Sequence, residues 1–220
     1  MKKIYFHFMR ACNRHSLRIE KIRLEREKMN RWEFNRLTES IMSDMWQSWC
    51  FFCRDVLMKS CRGAISLDNS FIEERTSYDI NDYNSWKRIG YEASKNKHPN
   101  RIINSGHNNF FMRFEPTWGD LDCIIRIIQT LHPSNEENLL SAFGSGQVLK
   151  HLQCARNACA HKNVEIIHSL NNDMRPYYKF RKLKSPSDLS WCHKRSESVF
   201  AIIDWLYEMR KIAKEATSSR

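Results

Sequence analysis

Leu37, Ile41, Met45, Trp49, Phe52 and Val56 recur at steps of three or four residues. On a helix of 3.6 residues per turn, that spacing places all six on one stripe. A β-strand would scatter them over both faces, so the spacing commits the chain to a long amphipathic helix over about 38–61. A stripe of this kind is core, not a cofactor surface. Gly63 follows where a helix of that length needs a residue tolerant of a left-handed turn. Only 6 Gly and 5 Pro punctuate 220 residues, which suits further long helices better than a many-turned β fold. The fold class read from the sequence is therefore all-α. The length suits a single domain, spanning 1–220.

Other segments fit less uniformly. Leu17, Lys21, Leu24 and Lys28 share a helical face over about Leu17–Leu37. Residues 64–118 read as a long irregular insertion with one short helix near Asn81–Ala93, packed by Trp86, Phe110, Phe111 and Trp118. Turn formers cluster there at 68–70, 95–100 and 104–109. Helical pattern resumes over Gly119–Leu131, stopped by His132-Pro133, and again over Glu136–Phe143, with Ser134 or Asn135 as cap. A further helix is predicted from Gln147 into the low 160s. After a basic loop, Ser187 is expected to cap a closing helix from Asp188 to about Lys214, with Val199, Ile202, Ile203, Leu206 and Met209 as its core stripe.

Charge narrows the partners. The chain carries a formal +11, with a sequence pI near 9.4, and this favours a polyanion. Eleven Lys and Arg against four Glu between residues 2 and 36 give that arm seven of the eleven charges. It reads either as an electrostatic clamp on nucleic acid or as a solvated helix laced with Glu–Lys and Glu–Arg pairs. A second concentration lies at 175–184, where Arg175, Lys179, Arg181, Lys182 and Lys184 alternate with Tyr177, Tyr178 and Phe180. Cations that hold phosphates beside rings that stack bases are what single-stranded RNA binding uses. The competing reading is a solvated loop whose rings pack back on the core.

No apolar run approaches the ~20 residues of a membrane helix, and Ile4–Met9 is too short for a signal peptide. The eight cysteines sit within helical apolar patterns, as free thiols do in a reducing cytoplasm, the expected location. Cys50 and Cys53 form a Cys-x-x-Cys pair inside the 38–61 helix. With no strand before it and no second pair to complete a zinc site, core packing is the better account. The same holds for Cys192 beside His193. No cluster has metal-ligand spacing, so neither metal nor cofactor is expected.

The remaining candidate is Arg156-Asn157-Ala158-Cys159-Ala160-His161. Arg-x(4–6)-His also occurs at Arg10–His15, Arg101–His107 and Arg126–His132, so context has to choose. Only Arg156 is followed by a polar residue and then small ones, late in a well-formed helical pattern. Asn157 and His161 are an i,i+4 pair on one face, while Arg156 lies roughly 140° away and reaches that face only through its long side chain. Imidazole moves protons near neutral pH and guanidinium holds phosphate oxygens, which together suit phosphodiester chemistry.

Residues 152–163, Leu-Gln-Cys-Ala-Arg-Asn-Ala-Cys-Ala-His-Lys-Asn, resemble the signature of HEPN-domain ribonucleases: Arg, a polar residue that is often Asn, a few mostly small residues, then His. The resemblance extends over about 38–214 and implies a HEPN-like helical bundle; the basic arm 1–36 lies outside it. It implies a homodimer whose two motifs meet in one composite site. Attack by the ribose 2′-OH then leaves a 2′,3′-cyclic phosphate without a metal. Carried over by residue, Arg156 holds the phosphate, Asn157 orients the site and His161 transfers protons. Lys162 stands where many relatives have Gly, and joins the RNA-binding set with the 175–184 loop. Relatives that act as toxins or in antiviral defence imply a neutralising antitoxin or regulatory partner. Two other readings remain: the same fold used without catalysis to bind RNA, a nucleotide or a protein, and a purely structural scaffold in which Arg156 and His161 are a surface pair.

Overall fold

The computed structural model describes residues 1–74, 83–95 and 106–219. The chain is mostly helical, in eight described α-helices: α1 Lys2–Glu25, α2 Arg31–Cys61, α3 Tyr83–Lys95, α4 Leu121–Leu131, α5 Glu136–Gly144, α6 Leu149–His161, α7 Val164–Met174 and α8 Ala201–Thr217. Two short antiparallel pairs complete it, β1 (Ala64–Ile65) with β2 (Phe71–Ile72), and β3 (Tyr178–Lys179) with β4 (His193–Lys194). The turn runs expected at 96–100 and 104–105 lie outside the described residues, as do the first residues of the helix expected at 81–93. No described helix is long and apolar enough to cross a membrane.

Chain contacts separate two compact units: Met1–Phe8, Trp49–Gly146 and Lys211–Arg220 in one, Met9–Ser48 and Gln147–Arg210 in the other. Helices α1, α2 and α8 contribute residues to both.

In the first unit, the expected α2 stripe is core. Trp49 is fully buried and donates its indole N–H to the Gly119 carbonyl at 3.0 Å. Phe8 stacks on Phe52 at 4.5 Å, and Phe143 meets Trp49 edge-on at 5.9 Å. Rings paired this way contribute about 0.5–1.5 kcal/mol beyond their area. Gly63, at φ +79°, turns the chain after α2, as anticipated. Asp120 caps α4 through the Cys123 N–H. The irregular stretch is pinned by Arg54, which holds Glu115 through two bonds of 2.6 and 2.8 Å, while Trp118 donates to the same carboxylate at 2.7 Å. Phe110 and Trp118 are buried as expected; Phe111 is 60% exposed and packs no core.

In the second unit, Ile41, Met42 and Met45 form the floor. Trp191 lies against Phe34 and Phe200 and donates to Thr38 Oγ1 at 3.0 Å. Arg31 grips Asp188 through one nitrogen at 2.6 and 2.7 Å.

Three elements depart from expectation. The first helix starts at Lys2, not near Leu17, and gives way to a 3-10 turn at Arg26–Lys28 instead of running through Leu37. Its buried stripe is Phe8, Ala11, Cys12, His15, Ile19 and Ile22, whereas Leu17 and Leu24 face solvent. Residues 164–174, read as loop, are helical: Asn163 accepts from the Ile166 N–H at 2.8 Å and caps them. The closing helix begins at Ala201, because Pro186–Trp191 is a 3-10 turn opened by Ser185, whose N–H donates to Asp188 at 2.9 Å, and 193–194 are a strand.

Candidate active site

Helix α6 owes its place to Leu149, Leu152, Ala155, Ala158 and Cys159, a stripe at helical spacing that is buried throughout. Helix α6 packs against the 3-10 turn 186–191 of the same unit; Ala158 and Cys159 are buried, while Ala160 is exposed. The helix stops at Lys162, which sits in the left-handed region at φ +48° with its N–H on the Ala158 carbonyl. Asn163 begins α7 at once, so His161 occupies a sharp corner between two helices.

On this corner Arg156 and Asn157 are half-buried, and Arg156 Nη1 donates to Asn157 Oδ1 at 3.2 Å. The amide thus steadies the guanidinium. His161 is exposed, and no described residue hydrogen-bonds its ring. Burial, with Glu39 adding to it, pushes the Cys159 thiol up to about 12, so this cysteine stays protonated and is a poor nucleophile. The chemistry open to the motif therefore belongs to imidazole and guanidinium. Cys53 is likewise raised by burial, and burial pushes Cys192 up to about 11, in keeping with the packing role expected for both.

The expected RNA-binding residues divide. Arg175, Tyr177, Lys179, Arg181, Lys182 and Lys184 are exposed. Leu183, buried, pins their loop by donating its N–H to Asn171 Oδ1 at 2.9 Å. Tyr178 has to be withdrawn as a stacking residue: it is 1% exposed, because β3 turns alternate side chains inward and outward and Tyr178 is the inward one. Its hydroxyl accepts from Trp205 Nε1 at 2.9 Å. Lys162, assigned to RNA, instead pairs with Glu39 at 2.9 Å.

Sequence reasoning passed over His151, Lys194, Arg195 and Asp204, which line a cavity in the same unit. No spacing in the sequence joins them: His151 comes from α6, Lys194 from β4 beside Tyr178, Arg195 from just after that strand, and Asp204 from α8. Among the described residues no group of three or more His, Cys, Asp or Glu is arranged to hold a metal ion. Comparison of the chain with known protein families, with curated proteins and with solved structures finds no match.

Proposed function

We propose that this protein is a HEPN-like endoribonuclease that cleaves RNA without a metal ion, through a composite site made by two copies of the chain. The observation that carries the reading is the α6 corner, where an exposed, unbonded imidazole follows a guanidinium steadied by its neighbouring amide. In the reaction, one His161 takes the proton from a ribose 2′-OH as its oxygen attacks phosphorus. The P–O5′ bond breaks, and the departing 5′ oxygen receives a proton from the second His161. Arg156 holds the non-bridging oxygens as charge builds on them. The products are a 2′,3′-cyclic phosphate and a 5′-OH. Two copies are required because each Arg156–His161 motif supplies a single imidazole, His161, and the scheme uses one base and one acid. Exposed cations at 175–184, on the same unit, supply the field that gathers RNA. A cellular role as a toxin or in antiviral defence, checked by a neutralising partner, accords with this chemistry.

The test is cleavage of a labelled RNA by pure protein in EDTA, with end-group analysis. Cyclic phosphate ends in the presence of chelator are expected. RNA binding without turnover would leave a non-catalytic binding module. A requirement for added Mg²⁺ or Mn²⁺ would overturn the mechanism.

A further inference from the structure

A cavity of about 190 Å³ opens beside α6, lined among others by His151, Tyr177, Tyr178, Lys194, Arg195 and Asp204, all in one unit. Its proton positions follow from the hydrogen bonds. Trp205 Nε1 can only donate, and it donates to the Tyr178 oxygen at 2.9 Å. The buried Tyr178 hydroxyl then satisfies its own hydrogen by donating to His151 Nδ1, also at 2.9 Å. His151 therefore carries its proton on Nε2, and burial, which holds its pKa below the ordinary imidazole range, keeps it neutral. The ring's remaining donor is Nε2–H.

The acceptor is Asp204. Its Oδ1 takes a bond from Lys194 Nζ at 3.0 Å, whereas Oδ2 is buried with no partner among the described residues. Native proteins rarely leave such an oxygen unmatched, and Asp204 is one of the residues that line the cavity. Tyr177 supplies an apolar surface: it is 51% exposed, and its ring centre lies 4.4 Å from that of His151. Arg195 is fixed at the rim by its Nε donation to the Arg175 carbonyl at 2.7 Å.

We propose that this cavity is a base-recognition subsite, taking one unstacked nucleobase that carries an exocyclic amine beside a ring-nitrogen acceptor, as cytosine and adenine do. The amine donates to Asp204, the ring nitrogen accepts from Lys194 or His151, Tyr177 stacks on the base, and Arg195 meets its phosphate. Uracil places a carbonyl oxygen where cytosine has its amine, and so sets lone pairs against a carboxylate. His151 lies about 15 Å along α6 from His161 at the helical rise, which makes the cavity a specificity subsite separate from the cleavage centre. The inference rests on the reading that this chain handles RNA, but not on its being able to cut it.

The experiment is calorimetric titration of the full chain with CMP, AMP and UMP. CMP and AMP should bind at least about tenfold more tightly than UMP, the scale of one polar contact to a base edge. Asp204→Asn should erase that preference, and Tyr177→Leu should weaken CMP about tenfold. Equal affinity for CMP and UMP, or a preference that survives Asp204→Asn, overturns the proposal. If Asp204→Asn does not fold, the exposed Tyr177 decides, and CMP affinity unchanged in Tyr177→Leu overturns it. RNA cleavage with no CMP preference sinks the subsite and leaves the nuclease standing; CMP preference without RNA cleavage does the reverse.

Discussion

Lys162 Nζ lies 2.9 Å from Glu39 Oε1, and this pair ties the corner after α6 back to α2. Two opposed effects meet at Lys162. Its left-handed backbone costs a non-glycine residue roughly 1–2 kcal/mol, while an ion pair as exposed as this one returns about 0–1 kcal/mol. Lys162→Gly should therefore be neutral to stabilising, by about 2 kcal/mol at most. That corresponds to a rise in Tm of no more than about 4–8 °C in a chain of this size. Lys162→Val, β-branched at positive φ, should lower Tm instead. Thermal denaturation of the two variants checks both signs.

The exposed imidazole and the half-buried guanidinium predict separable effects. His161→Ala removes no buried contact, so the variant should keep its stability within about ±0.5 kcal/mol, as usual for a surface change, while losing RNA cleavage. Arg156→Lys keeps the charge but loses the fork that holds two phosphate oxygens, and should retain only a small fraction of the rate. Single-turnover cleavage beside a melting curve gives the answer; normal turnover by His161→Ala would remove the residue from the mechanism.

How far the sequence disclosed this structure depended on how cleanly each period was expressed. Ile41 to Val56 kept its step of three or four without a charged interruption, and that segment of α2 was legible. The α1 stripe was not, because His15 occupies a buried turn of it while Leu17 and Leu24 advertise a face that is 73% and 68% exposed. Residues 164–174 did carry a signal, Asn163 as cap with Ile167, Leu170 and Met174 behind it, but the polar run Asn171-Asn172-Asp173 masked it. Ser187 and Asp188 imitate a helix start, yet Ser185 is the cap and the turn it opens is 3-10. In the candidate site, the motif lay within one helix and so was readable. Tyr177 and Tyr178 were not separable, since a two-residue strand shows no period and only pairing with β4 says which ring faces inward.

That pairing gives the two tyrosines opposite phenotypes. Tyr178→Phe leaves the Trp205 indole N–H and His151 Nδ1 without their shared partner, and should destabilise the fold by about 1–3 kcal/mol. RNA affinity measured well below its Tm should change less than in the Tyr177 variant, since Tyr178 acts only through His151. Tyr177→Ala should do the reverse, holding Tm and weakening single-stranded RNA more than duplex, because stacking needs an exposed base. Filter binding with both RNA forms distinguishes this from a loop whose tyrosines only pack.

Stability should fall on the acid side. His15 and His151 both have pKa values lowered from 6.5, chiefly by burial, so folding favours their neutral forms. Their contribution is complete above the unfolded value of 6.5 and is lost as pH falls through the lowered folded values. Over that window the unfolded chain binds more protons, and each histidine contributes a slope of up to about 1.4 kcal/mol per pH unit. His15→Gln with His151→Gln should flatten the curve of urea midpoint against pH below 6.5. A slope unaltered by the double change would assign the acid sensitivity to other groups.

The charge argument is tested apart from the motif. Lys179, Arg181, Lys182 and Lys184 are exposed on a loop whose backbone is held by Leu183 and by the Lys184 N–H on Asp188 at 3.0 Å, so replacing the four side chains leaves the anchors in place. If they meet phosphates, RNA binding should fall with salt by roughly 0.7 log units per contact for each tenfold increase. Replacement of all four by Gln should lower that slope by up to about 2.8, four times the single-contact value, and raise the RNA concentration needed for half-saturation. The rate at saturating RNA should hold, since none of the four belongs to the α6 corner. The basic α1 offers an internal comparison. Arg18 is paired with Asp44, and Arg23 with Glu20 at 2.6 Å, so those two cations are already engaged within the chain. Arg18→Gln with Arg23→Gln should therefore change the slope less than any two of the loop residues do. Titration of His161→Ala protein with labelled RNA between 50 and 400 mM salt (about one decade of ionic strength) measures both slopes without interference from cleavage. A slope untouched by the four loop replacements would take the loop off the RNA-binding surface, and a larger loss from the α1 pair would move that surface to the first helix.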